Sequence, residues 1–208
     1  MDVGKSDASP FTLSWMVPRS TAGRSTRIRA RRRPPPTLGQ EPERVFQALL
    51  ADPNLKSKRW VWEQYDWSVG ANTVLGPGGD AAVLRLKGSR GGLALTVDAN
   101  PRWCYADPRK GTILTLLESF RNLACVGAEP VGVTNCLNFG NPENKRVMGQ
   151  FAGAVAGLQE ACKNLTLPVV SGNVSFYNET DGDQIHPTPT LALVGSLSDV
   201  SKTVGSSF

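Results

Sequence analysis

The chain has 208 residues, a length that fits one good-sized domain, and 40% of them are hydrophobic, which is enough to fill a core. The net charge of +5 comes from residues 1–36, which hold eight basic and two acidic side chains; the other 172 residues hold 15 basic and 16 acidic ones. The folded part therefore gives no electrostatic reason to expect nucleic acid as a partner, and no run of about 18 apolar residues predicts a membrane span.

Residues 1–40 are predicted to form a disordered basic leader. Their Arg and Ser content with few acids is typical of organelle transit peptides, but Pro10, Pro18 and residues 34–36 would break an amphipathic helix. We therefore favour a disordered leader, or a wrongly chosen start on a partial gene, over a transit peptide.

A connector is predicted over residues 41–69. It contains a short helix over 41–51, whose apolar residues recur on one face and which Asp52 and Pro53 end. Three aromatic residues that follow, Trp60, Trp62 and Tyr65, are interpreted as a packing patch.

From residue 70 to residue 200, strands and helices alternate. Strands are predicted over 81–86, 92–97, 130–134, 169–174 and 190–195, with a hairpin turn at 87–92. One helix is capped by Asp107, begins at Pro108 and ends at Gly127. A second begins after Asn141 and Pro142, with apolar positions every three or four residues as far as residue 165. This order predicts an α/β (α+β) fold with a ferredoxin-like layer of helices on one sheet face.

The four cysteines stand far apart without a C-x-x-C pair. Reduced, buried thiols are favoured over disulfides or a metal site, which points to a reducing, cytoplasmic location.

Two strand ends are unusually polar. The segment 133–143 contains three asparagines and leads into a helix, whose first N–H groups attract anions. The segment 171–178 contains Ser-Gly-Asn-x-Ser, in which Gly lets a ligand approach, Asn offers an oxygen to Mg²⁺, and Ser can bind phosphate. Polar turns are the alternative for each alone, but together they favour a ligand site.

The other candidate ligands are weaker. Asp80 and Asp98 each flank a strand and could bind Mg²⁺ or simply cap a turn. The only histidine, His186, lies between a loop and prolines and is expected to face solvent. No G-x-x-x-x-G-K-[ST] loop occurs, and no G-x-G-x-x-G follows a strand, so any nucleotide would bind outside these motifs.

Five segments carry a family resemblance: SKRWVWEQYD (57–66), NTVLGPGGDAA (72–82), RNLACVGAEP (121–130), TNCLNFGNPE (134–143) and SGNVSFYNE (171–179). They resemble the phosphoribosylformylglycinamidine synthase family in its small, separate-subunit form. The resemblance covers residues 42–208 and implies the N-terminal domain of the aminoimidazole ribonucleotide synthase superfamily. It places the chain in the second half of the enzyme, with residues 201–208 starting a following domain that this chain lacks.

The resemblance also implies a reaction. ATP activates the amide oxygen of formylglycinamide ribonucleotide, and glutamine-derived ammonia then displaces phosphate to give the amidine; Mg²⁺ neutralises the transferring phosphoryl group. Carried over by position, Asn135 and Gly172 match ATP contacts, Asn173 a Mg²⁺ ligand and Ser175 a substrate contact. Some members have Asp at the position of Asn135. The asparagine of this chain keeps the hydrogen bonding of that position but not its charge.

The implied partners are the first half of the synthase, a glutaminase subunit and a small bridging subunit. The family's catalytic histidines belong to the first half, so no catalytic residue is assigned here. The first hypothesis is therefore that the chain is a part of the ligase and is inactive in isolation. A non-catalytic interaction or dimerisation domain is the second, and a small-molecule kinase of the same superfamily is a weaker third.

Overall fold

The computed structural model describes residues 41–53 and 55–206, which divide into two compact units at residues 61 and 62. The leader predicted over residues 1–40 lies outside the described residues. In the first unit, helix α1 (Pro42–Ala51) confirms the predicted helix and buries none of its residues. Helix α2 (Arg59–Trp62) spans the division.

The predicted aromatic packing patch is only partly present. Trp62 is half-buried, but Trp60 and Tyr65 are each 67% exposed. Phe46 and Leu50 of α1 are exposed as well. The aromatic spacing therefore did not indicate burial of Trp60 or Tyr65.

The second unit is built on a mixed six-stranded sheet with the order β1-β2-β3-β8-β4-β5. The strands are β1 (Thr73–Leu75), β2 (Ala82–Arg85), β3 (Gly92–Asp98), β4 (Glu129–Asn138), β5 (Val169–Ser175) and β8 (Thr188–Leu197), and a separate hairpin contains β6 (Glu179–Thr180) and β7 (Asp183–Gln184). Only β4 and β5 run parallel; β8 lies antiparallel between β3 and β4. The predicted mixed α/β fold is confirmed.

A layer of three helices covers one face of this sheet: α3 (Pro101–Ala106), α4 (Pro108–Cys125) and α5 (Lys145–Leu165). Leu116 and Leu123 of α4 and Leu158 of α5 pack with Leu191 and Leu193 of β8 in one core. In a second cluster, Val147 and Ala154 of α5 pack with Leu137 near the carboxyl end of β4, so the first half of α5 lies there. None of the helices in the described residues is both long and apolar enough to cross a membrane.

Side chains just before α4 and α5 cap the first turns of these helices. Asp107 accepts a hydrogen bond from Lys110 N at 3.0 Å and caps α4, as predicted. The cap of α5 is Asn144, whose Oδ1 accepts from Arg146 N at 2.9 Å, and not Asn141. Asn141 instead accepts from Glu143 N at 2.9 Å in a turn before the helix.

The strand β4 continues to Asn138, four residues beyond its predicted end. It is hydrogen-bonded to β5 on one side and to β8 on the other over this extension. Pairing on both sides outweighs the low strand propensity of asparagine, so Asn135 and Asn138 are strand residues and not loop residues.

Asp199 stabilises the segment that follows β8. Its carboxylate accepts hydrogen bonds from Ser201 N at 3.0 Å and Ser201 Oγ at 2.7 Å, and it pairs with Arg90 in the hairpin between β2 and β3. The hydrogen bonds from Ser201, assisted by Arg90, lower the pKa of Asp199 below its ordinary value of 3.8.

A lowered pKa means that Asp199 stabilises the fold above its unfolded-state pKa and that this contribution is lost as the pH falls through its folded-state pKa. We therefore expect Asp199→Asn to be less stable than the natural chain at pH 7, with the difference shrinking below about pH 4. Urea unfolding at pH 7 and pH 3 measures this. An equal difference at both values would contradict the ionic role of Asp199.

Candidate functional site

The four predicted site residues lie together near the carboxyl ends of β4 and β5, but on both faces of the sheet. Asn135 pairs in register with Gly172 on one side and with the fully buried Leu191 on the other, which places Asn135 on the face covered by helices. Asn173 and Ser175 are one and three residues further along β5 and lie on the opposite, open face. The site therefore wraps around the strand β5.

Gly172 is required by its neighbour across the strands. A Cβ atom at this position would lie 2.6 Å from both Nδ2 and Oδ1 of Asn135, far inside normal contact. The missing side chain lets the Asn135 amide lie flat against β5. That Gly172 admits a ligand stays a prediction; in the structure the close neighbour that Gly172 admits is the side chain of Asn135.

A groove of about 420 Å³ runs along β5 and contains three of the four predicted residues, Asn135, Gly172 and Asn173. Phe151 of α5 lies on its other side, and none of the nine residues that line it is charged. No described strand pairs with the outer edge of β5. The groove is thus open, largely apolar and supplied with a few amide groups, as small-molecule sites commonly are.

The open face of the sheet carries a block of uncharged side chains, which all contain a polar group except Ala192. In three rows across β8, β4 and β5 the pairs bring together Ala192, Thr134 and Ser171, then Thr190, Cys136 and Asn173, then Thr188, Asn138 and Ser175. The hydroxyls of Thr134 and Ser171 lie 2.6 Å apart. The block presents hydrogen-bonding groups without fixed charge.

Ser175 is held by Asn178, a residue that was not among the predicted contacts. Asn178 Nδ2 lies 3.1 Å from Ser175 Oγ and also donates to Phe139 O at 2.9 Å, so it joins the ends of β4 and β5. The repeated asparagines of this motif were interpreted from the sequence as ligand-binding residues. In the structure, Asn178 fixes the position of Ser175.

The three asparagines at 135, 138 and 141 have different roles. Asn138 donates to Cys136 O at 3.1 Å and to Thr188 O at 3.3 Å, and Asn141 forms the turn described above. The side chain of Asn135 makes no hydrogen bond within residues 41–53 and 55–206. Of the three, only Asn135 has both the oxygen and the nitrogen of its amide without a hydrogen bond in those residues.

The remaining candidates have structural partners or lie apart. Asp98 accepts from Ser119 Oγ at 2.5 Å and from Asn122 Nδ2 at 3.2 Å, so it attaches α4 to the end of β3. Asp80 is exposed beside a separate cavity of about 270 Å³. His186 is exposed, as predicted, and stacks on Tyr105 at 4.5 Å between ring centroids.

The cysteines are free thiols, as predicted, but not all are buried. Cys104 and Cys162 are buried, and burial raises the pKa of both thiols. Cys136 is half-buried and Cys125 is exposed at the end of α4. The apolar run around Cys125 therefore did not predict its burial.

The donor set fits Mg²⁺ only in part. The described residues contain no group of three or more His, Cys, Asp or Glu side chains that could hold a metal. Mg²⁺ is often held by one or two protein oxygens together with phosphates and water, and the exposed Asn173 amide can supply one such oxygen. The remaining ligands would have to come from a nucleotide, water or another polypeptide segment.

Comparisons with known proteins agree with the family resemblance. Residues 78–197 match the family model "AIR synthase related protein, N-terminal domain". The phosphoribosylformylglycinamidine synthase subunit PurL of Moorella thermoacetica is 56% identical over 171 residues, which make up 81% of this chain and 23% of that protein. The PurL subunit of Alkaliphilus metalliredigens is 51% identical over 164 residues, which are 79% of this chain and 22% of that one.

Solved structures of PurL proteins are also similar to this chain. PurLQS from Thermotoga maritima superposes with a TM-score of 0.67 and 38% identity over 72% of this chain and 25% of that chain. T. maritima PurL complexed with ATP superposes with a TM-score of 0.62 and 38% identity over 70% and 24%, respectively. The chain thus spans about a quarter or less of these PurL proteins.

Proposed function

The chain belongs to the AIR synthase related family, and we propose that it forms one domain of a phosphoribosylformylglycinamidine synthase, the ATP-dependent ligase of purine biosynthesis. The observation that carries the proposal is the convergence of Asn135, Gly172, Asn173 and Ser175 at the carboxyl ends of two parallel strands, beside a groove. Ligands of open α/β sheets commonly bind outside these strand ends.

In this proposal the chain binds and orients, and another segment supplies the reacting groups. Asn135 and Gly172 contact ATP, Asn173 offers its amide oxygen to Mg²⁺, and Ser175 contacts formylglycinamide ribonucleotide. When bound, Mg²⁺ neutralises charge on the transferring phosphoryl group. Asn178 is a positioning residue, because it holds the Ser175 hydroxyl in place.

The proposed partners follow from the relatives. T. maritima PurL has been solved with ATP, with ADP and with FGAR, and also as PurLQS, which supports the nucleotide, the substrate and the two further subunits as partners of this chain. Free thiols support the cytoplasm as the location.

An interaction domain without ligand-binding function remains a second candidate. Leu95 and Val97 on the open face, and Val170 and Val174 on β5, are exposed apolar side chains. Such a surface is typical of protein contacts. This candidate predicts self-association in sedimentation experiments without any nucleotide binding.

Calorimetric titration of the chain with ATP tests the proposal. We expect binding that is stronger with Mg²⁺ than in EDTA, because Asn173 contributes a metal ligand. Asn173→Ala should weaken binding about tenfold with Mg²⁺ and leave binding in EDTA unchanged. Asn164→Ala, an equal change at an exposed site near the end of α5, is the control.

Two results would contradict parts of this proposal. An absence of ATP binding under both conditions would contradict nucleotide binding by this domain. An equal loss of affinity with and without Mg²⁺ would contradict Asn173 as a metal ligand while leaving the nucleotide site in place.

A further inference from the structure

We propose that Tyr177 is a further substrate contact, and that its phenolic O–H donates a hydrogen bond to an oxygen atom of bound formylglycinamide ribonucleotide. This inference rests on the proposed function, in which Ser175 contacts the same substrate. It adds a residue to the four predicted from the sequence and gives a role to an exposed aromatic side chain with an unusual backbone conformation.

The backbone of Tyr177 lies in the left-handed region, with a φ angle of 60°. Residues other than glycine are destabilised there, because Cβ comes too close to the following carbonyl oxygen. Tyr177 is the bulkiest of the four described non-glycine residues with positive φ. Burial does not account for a tyrosine at this position, since the residue is 58% exposed. Strained residues of this kind cluster at ligand sites, which makes a contact with a ligand the better explanation.

Hydrogen bonds on both sides hold the strained segment in place. Tyr177 N donates to Gly140 O at 3.0 Å, in the segment that follows β4. The next residue, Asn178, donates from its backbone N to Phe139 O at 3.2 Å. Its side-chain Nδ2 also donates to Ser175 O at 3.0 Å. Tyr177 is therefore fixed relative to the ends of β4 and β5 before any substrate binds, which lowers the entropic cost of a contact.

Tyr177 is close enough to Ser175 to contact the same small molecule. Consecutive Cα atoms are about 3.8 Å apart, so the Cα atoms of these two residues lie within about 7.6 Å of each other. Phe176, the residue between them, packs against Phe151 at 5.2 Å between ring centroids and holds the segment. The Tyr177 hydroxyl makes no hydrogen bond in the described part of the chain, so its proton is free for a ligand.

The chemistry of the substrate suits a neutral donor at this place. Formylglycinamide ribonucleotide carries hydroxyl, amide and phosphate oxygens, all of which accept hydrogen bonds. The block of side chains on the open face has no charge, so uncharged donors are the groups that this surface offers to those oxygens. A phenolic O–H is such a donor, and its bond is stronger when the acceptor is an ionised phosphate.

Calorimetric titration of the full chain with formylglycinamide ribonucleotide tests the contact. Tyr177→Phe keeps the ring and the backbone conformation and removes only the hydroxyl. We expect affinity for this substrate to fall about tenfold, while affinity for ATP with Mg²⁺ stays unchanged. Tyr65→Phe, the same change at another exposed tyrosine, is the control and should alter neither affinity.

A glycine variant distinguishes the ligand contact from a structural role. Tyr177→Gly removes the side chain and also the strain, so its melting temperature should stay within about 4 °C of that of the natural chain. Its affinity for the substrate should fall at least as far as that of Tyr177→Phe. Thr166→Gly, at the left-handed residue that ends α5, should keep both the stability and the affinity of the natural chain.

The possible failures differ in what they contradict. Unchanged substrate affinity in Tyr177→Phe, or an equal loss for substrate and ATP, would overturn the contact; the proposed substrate site would survive if Ser175→Ala still weakened substrate binding alone. A much lower melting temperature of Tyr177→Gly with natural substrate affinity would assign the tyrosine a structural role instead. Binding of ATP but not of the substrate by the natural chain would contradict the contacts of both Tyr177 and Ser175 and leave the nucleotide site in place.

Discussion

No amidine product is expected when the chain alone is incubated with formylglycinamide ribonucleotide, ATP, Mg²⁺ and ammonium. The family resemblance assigns the catalytic histidines to a half of the synthase that this chain does not match. Its one histidine, His186, is exposed and stacks on Tyr105. It is not one of the four predicted site residues, and it does not line the groove. The PurL subunit of M. thermoacetica, assayed in parallel, is the positive control.

A chimera distinguishes a need for other segments of the synthase from a defect in this domain. Replacing the matching segment of M. thermoacetica PurL with the residues of this chain should give an active enzyme, because the two are 56% identical there. Asn173→Ala in that chimera should lower kcat by orders of magnitude, while Asn164→Ala should not. Turnover by the isolated chain near that of the control would contradict the dependence on other segments, and an inactive, folded chimera would contradict the proposed function.

The helices and strands of the second unit were predictable because their signals are local. The apolar repeat of α5 and the Asp107-Pro108 start of α4 each specify a helix without reference to the rest of the chain. Helix α3 was missed because it has only six residues, too few for a periodic pattern to show. The extension of β4 was missed because it depends on β5 and β8, which are distant in sequence.

The sequence indicated that the four candidate residues lie near one another, which the strand pairing shows, but not how they are arranged. Alternation along β5 necessarily places Gly172 and Asn173 on opposite faces, yet the sequence does not show which face the helices cover. The register of β5 against β4 decides that Asn135 lies over Gly172. The part played by Phe151 was equally hidden, because it depends on how α5 crosses the sheet.

The crossing of α4 and α5 depends on a glycine, and changing it is expected to have the largest effect on stability. A Cβ atom at Gly157 of α5 would lie 3.0 Å from the carbonyl carbon of Arg109 in the first turn of α4, and closer still to its oxygen. Because these are backbone atoms, the helices would have to separate. Arg109 also bonds Glu160 across the same crossing, with Nε and Oε2 2.8 Å apart.

Gly157→Ala should therefore lower the free energy of unfolding by about 3 kcal/mol, the upper range for overpacking, although alanine favours the helix by about 1 kcal/mol. Gly149→Ala, in the same helix, has no atom within 4 Å of the new Cβ and should raise the free energy of unfolding by roughly 0.5–1 kcal/mol. Urea unfolding of both variants measures the contrast. Since α5 carries Phe151, Gly157→Ala should also weaken ATP binding, and Gly149→Ala should not. Equal stability of the two variants would show that the crossing can widen without cost and that the glycine does not determine the position of Phe151.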